Sequence, residues 1–296
     1  MTTPSSTKPP LRPRTSGMAW RDRLIRPFAA AFLAACAGML PAMGNDTTPP
    51  ATCPDDPSVM VLLYHRLSND TPGSTTVRFD NLLAQMAFFR HQGYEFRPLR
   101  EVVAWRLGKS IKLPRRTVAL TVDDDNRSTF DILLPVAKAN RIPVTLFIYP
   151  SAISNASYAL TWDQLRLLHQ TGLFDVQSHT LWHPNFDVER RRLGPAGFRA
   201  FALAQLGRSK AIIETHVGAP VDLIAWPFGM HDDELELLAA QAGYVAGFGI
   251  DERRLQQGDP AFAMPRITMP DIGDETRLAL LLSGLECARA ASGRGL

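Results

Sequence analysis

Short apolar segments alternate with helix-like segments along most of the chain, and this alternation constrains the fold more than any other feature. Strands that alternate with helices form parallel sheets, which are buried on both faces. About seven such repeats predict an α/β barrel related to the TIM barrel, with a doubly wound open sheet as the alternative. The seven apolar runs span residues 59–64, 117–122, 144–149, 173–177, 221–226, 244–249 and 264–269.

The segments between the runs carry helix signals. The segment TWDQLRLLHQTG begins at Thr161, has Gln164 three residues later and ends at Gly172. Threonine and glutamine at this spacing form a capping box, in which each side chain binds the backbone N–H of the other residue. Glycine favours a helix end. We therefore predict a helix between Thr161 and Gly172.

The N-terminus has the pattern of an export signal. Basic residues precede a short apolar run, PFAAAFLAACAGML, which is too short to span a bilayer comfortably. We place the signal at residues 1–44, and two cleavage sites compete within it. LAAC at 33–36 resembles a lipobox and would attach the chain to a membrane through a lipidated Cys36, whereas AMG at 42–44 fits ordinary secretion. We expect a periplasmic, outer-membrane-anchored or secreted protein.

The formal net charge of +3 comes from this N-terminal segment. Residues 1–36 hold six basic side chains and one acid, so the rest of the chain carries a net charge of −2. A body with this balance does not indicate a nucleic-acid partner.

The three cysteines fit an exported chain. Besides Cys36, there are only Cys53 and Cys287, near the two ends of the predicted domain. In an oxidising compartment these two could form a disulfide, and the alternative is two unpaired thiols. We place a Pro- and Thr-rich tether at residues 45–57 and the folded domain at residues 58–290.

Polar groups follow four of the apolar runs, at the end where functional residues of such barrels lie. His65 follows the first run, three aspartates (123–125) follow the second, SHTLWHPNF follows the fourth and PFGMHDD follows the fifth. The carboxyl ends of parallel strands meet at one face of a barrel. We therefore expect these groups to converge on one site.

A metal centre is the best interpretation of this convergence. His179 and His183 are four residues apart, so a tight loop or one helical turn can direct both imidazoles at one ion. Two histidines and one carboxylate suit a single divalent ion, Zn²⁺ first, with Co²⁺, Ni²⁺ or Fe²⁺ as alternatives. The competing interpretation is two ordinary histidines and a solvated turn of aspartates.

The motifs TVDDD, SHTLWHPN and WPFG, in this order, resemble those of the polysaccharide deacetylases, carbohydrate esterase family four. LLYHRL and TWDQLRLLHQTGLFDVQSHT are most similar to the periplasmic poly-N-acetylglucosamine deacetylases. The resemblance covers roughly residues 59–270. It implies a distorted (β/α)7 barrel and a metal-dependent hydrolase that acts on an N-acetylated polysaccharide.

The resemblance also implies a role for each matching residue. Asp123 would be the general base, and Asp124, His179 and His183 would bind the metal. The backbone N–H of Phe228 would stabilise the oxyanion. A β-1,6-linked N-acetylglucosamine polymer is the expected substrate. The alternatives are a peptidoglycan or chitin deacetylase, an acetylxylan esterase, or a catalytically silent glycan-binding protein.

The sequence departs from the family pattern near the expected site. Val122 replaces a phenylalanine and Asp125 replaces a glycine, which adds a charge beside the metal ligands. The third motif lacks its arginine, since Trp226 precedes Pro227.

The fifth motif lacks the histidine that is the family's general acid, and RITMPD stands in that region. His65 and His231 are the candidate substitutes, and a structural or exposed histidine is the alternative for each. Trp182, between the two metal-binding histidines, is the best candidate for stacking on a sugar ring. The sequence leaves the oligomeric state open.

Overall fold

The computed structural model describes residues 57–70 and 73–285. The predicted export signal (1–44), with Cys36, lies outside the described residues. So do Cys53, Cys287 and the predicted tether apart from its last residue. Within the described part of the chain, no helix is both long enough and apolar enough to cross a membrane.

The seven predicted apolar runs all overlap strands. In chain order the strands are Ser58–Tyr64 (β1), Arg66–Leu67 (β2), Thr76–Val77 (β3), Glu95–Phe96 (β4), Arg116–Asp123 (β5), Val144–Ile148 (β6), Phe174–Ser178 (β7), Leu223–Ala225 (β8), Ala246–Phe248 (β9) and Ile267–Thr268 (β10).

Helices separate most of these strands. They are Phe79–His91 (α1), Leu99–Arg106 (α2), Leu134–Asn140 (α3), Trp162–Gln170 (α4), Phe186–Val217 (α5), Asp233–Gln241 (α6) and Glu275–Gly284 (α7), with a π-helical turn at Thr129–Leu133 and a 3-10 turn at Pro227–Gly229. The predicted capping box is confirmed at the start of α4.

The main sheet is parallel and has the order β10-β1-β5-β6-β7-β8-β9, with β4 paired to β5. The segment that leads into β10 connects the two end strands of the sheet, because it contacts β9 before β10 pairs with β1. Met264 bridges Phe248 of β9, and Ile267 pairs with Leu62 of β1. The predicted α/β barrel of seven parallel strands is confirmed, in a distorted form, and the open-sheet alternative is wrong.

Contacts between side chains inside the barrel show that the sheet curls. The rings of Phe147 on β6 and Phe248 on β9 lie 5.5 Å apart, although two strands separate them in the sheet. Val59 and Val61 of β1 belong to this same buried cluster. Met60 of β1 belongs instead to the larger cluster against the helices. Because neighbouring strand residues point to opposite faces, this alternation separates the barrel interior from the helical layer.

The longest helix, α5, contains a kink. Gly194 has φ 67° and ψ 174°, and Pro195 follows it. Proline cannot donate a backbone hydrogen bond, and glycine tolerates the positive φ, so the helix breaks at this pair. The first part of α5 directly follows the loop that carries His179 and His183.

Candidate metal centre

The candidate site lies at the carboxyl ends of β5, β7 and β8. Asp123 is the last residue of β5, with Asp124 directly after it. His179 directly follows β7, and His183 precedes α5. The structure brings these four predicted side chains together, although they come from segments that are more than fifty residues apart.

Asp124, His179 and His183 form a group whose ligand atoms all lie within 4.8 Å of one another. Asp124 Oδ1 is 3.7 Å from His179 Nε2 and 3.8 Å from His183 Nε2. Tetrahedral bonds of about 2.0–2.1 Å to zinc place neighbouring ligand atoms roughly 3.4 Å apart. The donor set and its spacing therefore fit one divalent ion with an open coordination position.

The tautomer of His179 also fits a metal ligand. Its Nδ1–H donates to the carbonyl oxygen of Ala225 at 2.8 Å, so the Nε2 lone pair faces Asp124. Such a second hydrogen bond orients metal-binding histidines in general. Burial lowers the pKa of His179 to about 3, which keeps the imidazole neutral and able to bind an ion.

The loops that carry the ligands have strained backbones. Asp124, Thr180 and His183 all have positive φ, between 61° and 68°. Residues other than glycine rarely adopt this region, and they do so mainly where function requires it. The Thr180 hydroxyl accepts the backbone N–H of His183 at 3.2 Å and so stabilises the loop between the histidines.

Asp123 pairs with a residue that the sequence interpretation missed. Arg266 donates from Nη1 and Nη2 to the two carboxylate oxygens of Asp123, both at 2.8 Å. Burial alone would raise the pKa of Asp123, but the charge of Arg266 and its hydrogen bonds lower it below its usual value. Asp123 therefore remains a carboxylate.

Arg266 lies just before β10, in the RITMPD segment whose missing histidine was noted above. Its side chain is fully buried. Trp226, which stands where the family has an arginine, is buried and donates its indole N–H to the carbonyl of Phe262 at 2.8 Å. One sequence signal could have identified Arg266 as part of the site, namely its position inside an apolar strand segment. An arginine there is expected to be buried, and a buried arginine needs a charged or polar partner.

Asp125, which the sequence could not place, is buried with φ 50°. Its Oδ1 accepts the backbone N–H of Tyr149 at 3.1 Å, while Oδ2 has no hydrogen-bond partner. Burial raises the pKa of Asp125 well above its usual value, and the charges of Asp124 and Asp123 raise it further. Asp125 belongs to the loop that carries Asp124, and it is not one of the three residues whose ligand atoms form the metal group.

The two candidate general acids lie in different surroundings. His65 shares a cavity with Asp124 at the open side of the metal group. His231 does not line this cavity: its Nδ1 is 2.9 Å from the carboxylate of Glu236, and its ring lies against Trp226. The geometry therefore favours His65 over His231.

Two exposed aromatic side chains lie beside His183, one in space and one in the sequence. Phe228 has φ 57°, is 58% exposed, and its ring centroid is 4.6 Å from that of His183. Trp182 is 43% exposed and packs edge-on against Phe201. Trp162, by contrast, is stacked on His216 at 4.1 Å and belongs to the helical layer.

The sequence profile of the family described as Polysaccharide deacetylase matches residues 110–247. This range includes Asp123, Asp124, His179, His183 and Phe228. The poly-beta-1,6-N-acetyl-D-glucosamine N-deacetylase of Staphylococcus aureus strain MSSA476 is 22% identical over 249 residues, which cover 78% of this chain and 85% of that protein.

Solved structures share the fold. A Streptococcus pyogenes deacetylase in complex with acetate, PplD, aligns with a TM-score of 0.67 and 20% identity, over 76% of this chain and 98% of the other. A protein named IcaB from Ammonifex degensii aligns with a TM-score of 0.65 and 21% identity, over 77% of this chain and 97% of the other. At this identity the likeness is evidence for the fold alone.

Proposed function

We propose that this chain, which carries a polysaccharide deacetylase domain and is a deacetylase enzyme, removes N-acetyl groups from an exported polysaccharide and releases acetate. The single observation that carries the proposal is the position of Asp123. A buried carboxylate, held ionised by Arg266, lies 3.7 Å from a histidine of a group that can hold a divalent metal.

Asp124, His179 and His183 would hold the metal, with Zn²⁺ as the first expectation and Co²⁺, Ni²⁺ or Fe²⁺ as alternatives. A divalent ion in this position supplies Lewis-acid polarisation of the acetyl carbonyl and of water. The open side of the group leads into the cavity that His65 lines, so a glycan can approach from there.

Asp123 is the general base of the proposed reaction. Arg266 occupies one lone pair of each carboxylate oxygen, and each oxygen keeps another that can accept a proton from the attacking water. Because Arg266 lowers the pKa of Asp123, the base remains available in mildly acidic solution.

Two further groups complete the proposed reaction. The backbone N–H of Phe228, in a turn beside His183, would donate to the oxyanion of the tetrahedral intermediate. His65 would protonate the amine as it leaves, which yields acetate and a glucosamine residue. Trp182 offers an exposed apolar face for a pyranose ring.

The substrate that we propose is a poly-β-1,6-N-acetylglucosamine, supported by the name of the Staphylococcus aureus relative. The proposal includes export directed by residues 1–44, the signal predicted from the sequence. Attachment through a lipidated Cys36 is part of the same proposal and would place the domain at a membrane surface.

Acetate release from a panel of glycans tests the proposal. The protein is stripped with a chelator, reloaded separately with Zn²⁺, Co²⁺, Ni²⁺ or Fe²⁺, and given β-1,6-N-acetylglucosamine oligomers, chitin oligomers, peptidoglycan or acetylxylan. We expect acetate from the β-1,6 oligomers, and only after reloading. Acetate from acetylxylan alone would identify an O-esterase, and no acetate from any glycan would favour a silent binder.

A further inference from the structure

A cavity of about 320 Å³ adjoins the candidate metal centre on the side of β2 and β3. Asp124, one of the three proposed metal ligands, lines this cavity together with His65, Arg66, Tyr149 and Tyr158. Pockets that hold small ligands have volumes of about 300–1,000 Å³. This cavity is at the lower end of that range, so it would have room for one sugar residue beside a reacting sugar held over the metal group.

Arg66 is directed into the cavity by the short strand β2. The next residue, Leu67, is buried in the core. The backbone N–H of Arg66 donates to the carbonyl of Thr75 at 3.3 Å. Because alternate residues of a strand face opposite ways, the burial of Leu67 leaves Arg66 on the cavity side. Among residues 57–70 and 73–285, no carboxylate or other hydrogen-bond partner of the Arg66 side chain is found.

A tyrosine pair also lines the cavity. The hydroxyls of Tyr149 and Tyr158 lie 2.8 Å apart, and the ring of Tyr149 is 5.8 Å from that of His183. In such a pair one hydroxyl donates to the other, which leaves one O–H donor and further acceptor lone pairs for a ligand. The pair can therefore bind a sugar hydroxyl or an acetamido group beside the reacting sugar.

The charge of Arg66 limits which sugar fits. A guanidinium has five N–H donors, no acceptor and a positive charge. It can donate to the carbonyl oxygen of an acetamido group, whereas it repels the ammonium of a glucosamine. Deacetylation exchanges the first group for the second, so the cavity distinguishes a substrate residue from a product residue.

We propose that this cavity binds the sugar residue next to the one that reacts, and that Arg66 requires this neighbour to be still acetylated. The inference rests on the proposed deacetylase function and adds a rule for where the enzyme acts. A residue beside an existing glucosamine would be a poor substrate, so the enzyme would leave its products spaced along the polymer.

The sequence of the products tests this rule. A β-1,6-N-acetylglucosamine hexamer is treated with metal-loaded enzyme at mildly acidic pH, where the product amine is protonated, and the positions of the free amines are read by tandem mass spectrometry. For the wild type we expect adjacent amines to be at least about fivefold rarer than random placement predicts. Arg66→Gln should restore random placement, whereas Arg66→Lys, which keeps the charge, should retain the bias.

Arg127→Gln is the matched control. Arg127 is exposed, pairs with Asp131 and does not line the cavity, so its removal deletes one positive charge from nearby without touching the proposed subsite. We expect this variant to give the wild-type pattern. Adjacent amines at the random frequency in the wild type, or an equal bias in Arg66→Gln, would overturn the proposal.

Binding to chelated protein separates this inference from the proposed function. Calorimetric titration with a fully acetylated trimer, a fully deacetylated trimer and an acidic trimer that carries carboxylates needs no catalysis. We expect the acetylated trimer to bind about tenfold more tightly than the deacetylated one, and Arg66→Gln to abolish the difference. Tightest binding of the acidic trimer, through Arg66, would instead identify an anionic sugar as the ligand and would contradict the proposal.

Discussion

The guanidinium of Arg266 forms two parallel hydrogen bonds with the carboxylate of Asp123, one to each oxygen and both at 2.8 Å. Both side chains are buried, and the Arg266 Nε–H donates to the carbonyl of Gly249 at 3.1 Å. A buried carboxylate without a partner would take up a proton and lose its capacity as a base. This pair is therefore the reason that Asp123 can serve as a base inside the barrel.

Replacement of Arg266 should move the pH dependence of the reaction. Burial raises the pKa of Asp123 and Arg266 lowers it, so Arg266→Gln leaves the raising effect unopposed. We expect the acid limb of the profile of kcat/KM against pH to move to higher pH. The free energy of unfolding should fall by about 3–5 kcal/mol, because the variant leaves a buried charge unpaired.

Arg266→Lys keeps the experiment informative if Arg266→Gln does not fold. It preserves the charge but not the two parallel bonds, and it should show a smaller shift of the same sign. Arg97→Lys, at a partly exposed pair with Glu101, is the control and should leave the profile unchanged. An unshifted acid limb in both Arg266 variants would contradict the role assigned to this pair.

Removal of any of the three proposed ligands should empty the metal site. Asp124→Asn, His179→Gln and His183→Gln each delete one donor of the group. We expect metal affinity to fall by more than the 10–100-fold that is lost when a residue hydrogen-bonded to a metal ligand is changed. Metal content is measured by mass spectrometry after dialysis. His169→Gln, at a histidine of α4, should keep one metal per chain, and retention of metal by all three ligand variants would contradict the assignment.

The sequence predicted the parts of the site that follow strands directly. Strand runs and the polar residues after them can be read from hydropathy, and parallel topology brings their ends to one face, so Asp124, His179 and His183 could be grouped in advance. The π-helical turn left no comparable pattern, because it depends on how its segment packs against its neighbours, whereas the kink in α5 follows from the adjacent glycine and proline at 194 and 195.

Arg266 and Asp125 could not be assigned for a related reason. Arg266 reaches Asp123 because β10 and β5 lie on either side of β1, a neighbour relation that exists only after the barrel has formed. Asp125 is buried because residues near Tyr149 and Leu160 cover its loop: the Tyr149 N–H donates to Asp125 Oδ1, and the Leu160 N–H donates to the backbone carbonyl of Asp125. Pairing across strands that are distant in sequence is set by topology, and hydropathy along the chain does not report it.

The chelated protein should lose stability on acidification in a way that depends on His179. Burial lowers the pKa of His179 to about 3, below its usual value in an unfolded chain. The contribution of this group to stability is therefore complete above about pH 6.5 and is lost as the pH falls towards 3. Between about pH 3 and pH 6.5, His179→Gln should reduce the slope of a plot of unfolding free energy against pH by up to about 1.4 kcal/mol per pH unit.

Urea unfolding in the presence of chelator, repeated across this pH range, measures that slope. His91→Gln replaces an exposed histidine and should leave the slope as in the wild type. A His179 variant with the wild-type slope would show that this imidazole is not held neutral by the fold.

Asp125→Asn should stabilise the chelated protein at neutral pH. Burial raises the pKa of Asp125 in the folded protein. The contribution of this group to the free energy of unfolding is therefore complete below its pKa in the unfolded chain, and it is lost as the pH rises through the raised pKa of the folded state. Asparagine keeps an acceptor for the Tyr149 N–H and tolerates positive φ. We expect a gain of about 1–3 kcal/mol near pH 7 that shrinks on acidification.

The same urea titration measures this gain. Asp163→Asn, at an exposed aspartate of α4, is the control and should change stability by less than about 0.5 kcal/mol. A less stable Asp125→Asn at neutral pH would mean that the ionised carboxylate is supported by its surroundings.

The two tryptophans near the site should respond differently to truncation. Trp182 is exposed beside the metal group, so Trp182→Ala should raise KM for a glycan oligomer several-fold and leave the melting temperature nearly unchanged. Trp162 is stacked on His216, so Trp162→Ala should lower the melting temperature and leave KM unchanged. The opposite pattern would assign glycan contact to Trp162.

The central claim is that Asp123 is the base and that the other three residues hold the metal. Its most direct test is acetate release by Asp123→Asn and by the wild type, both loaded with Zn²⁺ and matched for metal content and circular dichroism. The account predicts that the variant binds one metal per chain while its kcat falls by about 10²–10⁴-fold. Acetate release at the wild-type rate by metal-loaded Asp123→Asn would contradict it.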